Sequence, residues 1–405
     1  MKIGIDIRAL MGARYSGVSE YALNLIKEII KLDDQNEYRL FYNSFGDCPG
    51  LPEFNFKNVK VVKYGYPNKI LNYLLFKFFN YPEIDKELEA DVFFMPHINF
   101  IGLSSGARRL LTVHDLSFLR YPEFFSWRKN FWHKMVNVKN LVKRFDVIVA
   151  VSENTKRDIV ELCGVDENKV KVIYAGVSGE YREITKPRIL MVDGRRETVP
   201  LAPIFAGEEN ADEEKLSAVK NKYGLPDKFI LYLGTVEPRK NIDGIIRGYN
   251  ELRTMNHELG DYKLVIAGGK GWKSKNIYKE WELSKFKDDI KFLGYIDSAD
   301  RAYLYNLAAV FVYPSFYEGF GFPPLEAMAC GLPVVASYAS SLPEVVGEAA
   351  LMVDPYNIND IARALTEILT DDNLRKKLIA RGLEQAKKFS WQKTAEEYLE
   401  ILSKL

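Results

Sequence analysis

Two glutamates with seven residues between them, Glu318 and Glu326, flank a glycine-containing loop in the segment Tyr313–Gly331. A carboxylate accepts two hydrogen bonds in a fixed fork, which is what orienting neighbouring hydroxyls of a sugar or ribose requires. Gly319 and Gly321 lack the Cβ that would hold a ligand away from the backbone. Pro323 and Pro324 suit the opening positions of a helix. The segment therefore predicts strand, loop and helix, with Glu326 in the first helical turn. The unpaired N–H groups of such a helix start seat an anion. Carboxylates for hydroxyls beside donors for a phosphate describe a site for a phosphorylated polyol. The plainer alternative is a tight turn followed by an acidic helix start.

Three other loops carry candidate chemistry. Gly234–Asn241 follows a predicted strand and holds Arg239 and Lys240 side by side, a guanidinium fork and a point charge suited to a diphosphate. Thr112–Phe118 places His114 and Asp115 together at another strand end, where ligands bind in open α/β sheets. Gly12–Gly17 follows the first strand but lacks Gly-x-Gly-x-x-Gly, and the second strand ends in Tyr42 and Asn43 without the acid that holds an NAD ribose. A nicotinamide oxidoreductase is accordingly disfavoured.

The elements that must position these loops alternate between short β-branched runs and amphipathic stretches. Strands are predicted at Ile3–Ile7, Tyr38–Tyr42, Val59–Val62, Val92–Met95, Leu110–Val113 and Val147–Val151, with helices at Val18–Ile30, Trp127–Arg144 and Glu153–Leu162. The rhythm restarts at Phe229–Leu233, Lys263–Ala267, Ile290–Leu293, Val310–Tyr313, Pro333–Ala336 and Ala350–Val353, with helices at Asn241–Met255, Ser298–Ala308, Pro324–Ala329 and Ile358–Leu369. Apolar strands alternating with helices imply parallel sheets covered on both faces, hence an α/β fold in two units. Between them, Arg182–Lys215 reads as a linker or insertion, with a hairpin turn at Asp193 and Gly194 and an acidic run from Glu208 to Glu214. Beyond Ile358 the pattern is helical to the end, broken near Phe389–Trp391, where Ser390 can cap a last helix.

The 405 residues, 47% of them apolar and 27% charged, are an ordinary globular composition. Lysine and arginine total 56 against 55 acids, so no overall field for nucleic acid exists. Cys48, Cys163 and Cys330 are widely spaced, which suits a reducing compartment, and the four histidines lack the spacing of a zinc site. Met1 runs into a strand, no secretory signal is expected, and no apolar run is long enough to span a bilayer.

These residues and their order resemble the retaining nucleotide-sugar glycosyltransferases of glycosyltransferase family 4, from Lys2 to about Leu402. Glu318 and Glu326 match that family's spaced glutamate pair, Pro238–Asn241 its Pro-Arg-Lys-Asn segment, His114 and Asp115 its histidine loop, and Gly12–Gly17 its first loop. The resemblance implies a GT-B fold: two facing Rossmann-like domains, an interdomain cleft, and a C-terminal helix crossing back to the N-terminal domain. The implied boundaries are 1–181 for an acceptor domain, 182–215 for the insertion, 216–388 for a donor domain and 389–405 for the returning helix. It further implies that Arg239 and Lys240, with Gly17 close by, hold the donor diphosphate. Glu326 would hold the ribose. Glu318, Gly319, Phe320 and Gly321 would hold the transferred sugar. His114 and Asp115 would act at the reacting end, and the base would lie against Gly294, Tyr295 and Ile296. The implied reaction is retaining hexosyl transfer without a metal or other cofactor, since the chain contains no Asp-x-Asp. The first donor expected is GDP-mannose, and the acceptor a lipid-linked or oligosaccharide hydroxyl. A UDP-sugar donor, a phosphorylase or sucrose-type synthase, and a silent sugar-nucleotide-binding subunit remain alternatives.

On the acceptor side, residues 101–150 hold nine Lys/Arg against three Asp/Glu. Arg128–Arg144 contains six basic residues and no acid, with Phe131 and Trp132 among them, and Lys69–Phe79 is aromatic and mildly basic. Such helices either pack as core elements with solvated basic faces or lie on anionic membrane surfaces. The expected location is the cytoplasm, peripheral on the inner face of the cell membrane.

Overall fold

The computed structural model describes residues 1–12, 16–48, 50–184, 188–192, 195–199 and 208–405. The chain divides into two compact units. The first comprises Met1–Ser178, Glu318–Phe320 and Phe389–Leu405, and the second Gly179–Tyr317 and Gly321–Lys388.

The first unit is built on seven parallel strands: β1 (Lys2–Asp6), β2 (Glu37–Asn43), β3 (Val59–Tyr64), β4 (Val92–Met95), β5 (Arg108–Val113), β6 (Val147–Ala150) and β7 (Val170–Val172). Their spatial order is β3-β2-β1-β4-β5-β6-β7, so the winding reverses between β1 and β4. Every residue of β4 is buried, as expected where helices cover both faces. Helix Gly17–Leu32 buries Tyr21, Ala22, Leu25, Ile26, Ile29 and Ile30 along one stripe, and the Ser16 hydroxyl caps it by accepting from Ser19 N–H.

The second unit begins with an antiparallel hairpin, β8 (Arg188–Val192) and β9 (Arg195–Val199). The turn expected at Asp193 and Gly194 lies outside the described residues. Its main sheet comprises β10 (Phe229–Leu233), β11 (Lys263–Ala267), β12 (Ile290–Gly294), β13 (Val310–Tyr313), β14 (Val334–Ser337) and β15 (Ala350–Val353), all parallel. The order β12-β11-β10-β13-β14-β15 repeats the first unit's winding, with its reversal between β10 and β13. Both units are Rossmann-like, and the fold is α/β of the GT-B class.

Several expectations need correction. The helix predicted over Trp127–Arg144 is two, Trp127–Val136 and Val138–Lys143, because Asn137 takes a left-handed conformation (φ 54°) that ends one and starts the other. The stretch from Ile70 to Phe79 is a π-helix. The acidic run from Glu208 is no linker but the start of helix Glu208–Tyr223. The C-terminal helical region breaks at Asp371 as well, where the carboxylate accepts from Asn373 and Leu374 N–H and starts a new helix. Strand β7 escapes the sequence pattern because it is three residues long with a lysine in the middle.

The last helix, Trp391–Lys404, is capped by Ser390, whose hydroxyl accepts from Lys393 N–H at 3.2 Å. It belongs to the first unit, against helix Gly17–Leu32. Its Tyr398 shares a 2.7 Å hydroxyl bond with Tyr21 and a 2.6 Å bond with Thr112.

Candidate active site

In a parallel sheet all strands end at one edge, and the loops on either side of the winding reversal diverge to leave a crevice there. In the second unit the loops at that place follow β10 and β13. The β10 loop closes in a 3-10 turn, Pro238–Lys240. Arg239 donates from Nε and Nη2 to Glu237 at 3.1 Å, and from Nη1 to the Tyr317 carbonyl at 3.0 Å. Lys240 is buried, with Nζ 2.6 Å from the Tyr313 hydroxyl at the end of β13. The two loops are further joined by Phe316 N–H to the Arg239 carbonyl at 2.9 Å. Asn241 then takes a left-handed turn (φ 56°) and its amide donates to the carbonyls of Pro314 and Pro355. The turn thus carries two cations against the single buried carboxylate of Glu237, an excess suited to an anion.

The β13 loop enters helix Phe322–Ala329 through Gly321, whose φ of 114° is open to glycine. Glu326 falls in the second turn of that helix, not the first, because the helix begins at Phe322 ahead of the two prolines. It is buried and accepts from the Tyr305 hydroxyl at 2.8 Å. Burial, then the Glu326 charge, pushes the Tyr305 phenol well up, so it remains a donor. At the edge strand β12, Gly294 is exposed with a positive φ, Tyr295 is half-buried, and Ile296 turns its side chain into the core.

In the first unit the β5 loop presents His114. Its Nε2 lies 2.8 Å from the Pro96 carbonyl. A carbonyl only accepts, so Nε2 carries the proton and Nδ1 keeps its lone pair. Burial pushes the imidazole pKa down to about 4, only partly offset by the Pro96 carbonyl, so the ring is neutral at neutral pH. Tyr21 meets it edge-on at 4.7 Å. Among the contacts of Asp115, Oδ1 accepts from both the N–H and the hydroxyl of Ser117, a local turn that shapes the loop.

Glu318, Gly319 and Phe320 belong to this same unit. A Cβ on Gly319 would sit 1.9 Å from the His114 carbonyl oxygen, so only glycine fits. The Gly319 carbonyl accepts from Ser152 Oγ at 2.7 Å, where Ser152 also caps the helix after β6. Phe320 is buried between Tyr174 and Phe389, so its backbone, not its ring, remains for a ligand. Gly17 opens helix Gly17–Leu32 directly after Ser16, while residues 13–15 of that loop lie outside the described residues.

The structure thus groups Arg239, Lys240 and the start of the β13 loop in one unit, and His114 with Gly319 in the other. Sequence reasoning missed Glu237, Tyr313, Tyr305, Pro96 and Ser152. Glu237 could have been found as the acid next to Pro-Arg-Lys, and Ser152 as a helix cap. Tyr305 and Pro96 carry no local signal, since each meets its partner only through the fold.

Comparison with known proteins follows the same division. The family described as Glycosyltransferase Family 4 matches residues 15–180, and Glycosyl transferases group 1 matches residues 212–385. The chain is 34% identical over 302 residues to O-antigen chain mannosyltransferase B of Escherichia coli, covering 74% of this chain and 69% of that protein. It is 32% identical over 306 residues to the serotype-specific mannosyltransferase WbdA of Escherichia coli, covering 74% of this chain but only 34% of WbdA, about a third of its length. Among solved structures, sucrose-phosphate synthase from Thermosynechococcus elongatus superposes with a TM-score of 0.72 at 18% identity, over 100% of this chain and 98% of that one, a likeness of fold.

Proposed function

The chain belongs to glycosyltransferase family 4, and from that premise we propose that it transfers a hexose from a nucleotide diphosphate sugar to an acceptor hydroxyl with retention of anomeric configuration. The observation that carries the reading is the β10–β13 crevice: Arg239 and Lys240 are locked onto the neighbouring loop by Tyr317 and Tyr313, an anion seat preformed before any ligand arrives. Arg239 and Lys240 take the donor diphosphate, Glu326 the ribose, and Gly294 and Tyr295 the base. Glu318 and the backbone of Gly319–Gly321 take the transferred sugar. Mannose from GDP-mannose is the first donor, supported by the two relatives named mannosyltransferases, and the acceptor is a lipid-linked or oligosaccharide hydroxyl. A cytoplasmic setting is supported by three free cysteines, Cys48, Cys163 and Cys330. No helix among the described residues is long and apolar enough to cross a membrane.

In the reaction the acceptor oxygen forms a bond to the anomeric carbon on the face that the diphosphate leaves. The bond from that carbon to the diphosphate oxygen breaks, its electron pair stays on the oxygen, and that oxygen takes the acceptor proton. The departing charge is met by Arg239 and Lys240, so neither glutamate serves as a covalent nucleophile, unlike the paired carboxylates of glycosidases. His114, neutral with its Nε2 proton committed to Pro96, offers a polar edge that orients the reacting sugar without adding charge.

The test is a thermal-shift series with GDP, UDP and ADP, followed by product analysis with GDP-mannose. A ligand at 100 times its Kd stabilises the fold by about 2.7 kcal/mol. GDP is expected to raise the melting temperature most, and Glu318→Gln to abolish transfer while leaving that shift intact. A larger shift with UDP would replace the donor. Binding without turnover for any acceptor would make the chain a binding subunit, and no shift with any nucleotide would overturn the reading.

A further inference from the structure

Two helices of the first unit turn large apolar side chains to solvent. In the π-helix Ile70–Phe79, Ile70, Leu74 and Phe78 recur every fourth residue and are 47%, 48% and 69% exposed, with Phe79 beside them at 66%. In helix Trp127–Val136, Trp127 and Phe131 repeat the spacing at 74% and 54%. The opposite faces are anchored. Leu71 and Phe76 are buried, Tyr73 meets the buried ring of Phe100 at 5.2 Å, and Phe100 meets Trp132 of the second helix at 5.9 Å. Both helices therefore rest on one phenylalanine as neighbours.

The same surface is cationic. Residues 124–145 contain six lysines and arginines and no acid. Arg144, at the end of this stretch, donates to the Asn80 side chain at 2.9 Å and so sits at the C-terminal end of the π-helix, next to Phe79. In the second unit the large exposed apolar residues, Met255, Leu283, Tyr338 and Tyr356, stand singly on separate elements, which is ordinary for a protein surface.

We propose that this face of the first unit docks on an anionic lipid bilayer, with the phenylalanines and Trp127 entering the headgroup boundary and the basic residues meeting lipid phosphates. Charge decides the occupant. Interfaces between protein copies deplete lysine, and six like charges on each of two facing copies would repel. Exposed aromatic residues beside unopposed lysine and arginine are the composition of helices that lie in a bilayer surface. The inference stands apart from the catalytic reading, because it uses no residue of the proposed site.

Flotation of the full chain with phosphatidylcholine vesicles, with and without phosphatidylglycerol, tests it in the absence of any sugar nucleotide. The chain is expected to float only with the anionic vesicles and to be released when salt rises from about 0.1 M to about 1 M, which shortens the screening length from ~10 Å to ~3 Å. A Phe78→Ser/Phe79→Ser variant is expected to lose at least about tenfold in partitioning while keeping the wild-type melting temperature, since both rings are exposed. The fluorescence of Trp127 is expected to shift blue on binding, a change absent from Trp127→Phe. Three results would overturn the proposal: no flotation at low salt, flotation unaffected by the double variant, or light scattering showing a dimer that the double variant converts to monomer, which would mean that a second copy covers the face.

Discussion

The two sheets share one winding order yet present opposite electrostatics at their carboxyl edges. In the second unit the crevice loops carry formal charges, each held by a named partner: Arg239 by Glu237, Lys240 by Tyr313, Glu326 by Tyr305. In the first unit His114 is neutral and is fixed by a carbonyl, a tyrosine edge and the fit of a glycine. The same topology therefore offers one edge matched to a diphosphate and another matched to uncharged hydroxyls. The lesson is that winding order selects where a ligand binds, while a few strand-end residues select what it is.

The largest test of this contrast is Gly319→Ala. Its methyl would overlap the His114 carbonyl, displacing the loop by roughly an ångström and lowering transfer by about 100-fold or more, with GDP affinity in the second unit little changed. Steady-state rates beside calorimetric titration would check this, and an equal loss of both would show that the edges are not separable. Next comes Lys240→Met, which removes a charge and a bond to Tyr313. Nucleotide affinity is expected to fall by about 10- to 100-fold, the worth of a charged hydrogen bond. Unchanged affinity would remove the lysine from the anion seat.

Smaller still is Tyr398→Phe, which leaves the buried hydroxyls of Tyr21 and Thr112 with one partner fewer. Urea unfolding followed by hydrogen exchange should show a loss of about 1–2 kcal/mol confined to the first unit. A loss spread over both units would contradict the division.

The mildest effect concerns pH. Burial holds His114 and His133 at about 4 in the folded chain, against an ordinary 6.5, so the unfolded chain takes up protons first as pH falls. Their contribution to stability is complete above about 6.5 and is lost progressively toward 4. Both lie in the first unit, so exchange protection there is expected to weaken between pH 7 and pH 5 before it does in the second unit. The reverse order would refute the assignment.

Much of this was legible locally. The strands Val92–Met95, Phe229–Leu233, Lys263–Ala267, Val310–Tyr313 and Ala350–Val353 occur where their apolar runs predict, because a strand buried on both faces must be apolar throughout. The loops bearing His114, Arg239, Lys240 and Glu318 follow strand ends for the same reason. The break at Asn137 and the π-helix were not legible, since helix periodicity there is nearly the same for either outcome.

The residue order by itself determined the alternation of strands and helices, the two sheets, and which loops carry carboxylates and cations, because these follow from periodicity and turn chemistry along the chain. Only the tertiary structure decided that Tyr398 locks Tyr21 and Thr112, that Pro96 sets the proton of His114, and that Gly319 must be glycine. Those depend on atoms brought together from up to 377 positions apart, and pairings of that kind are set by packing, which no local stretch encodes.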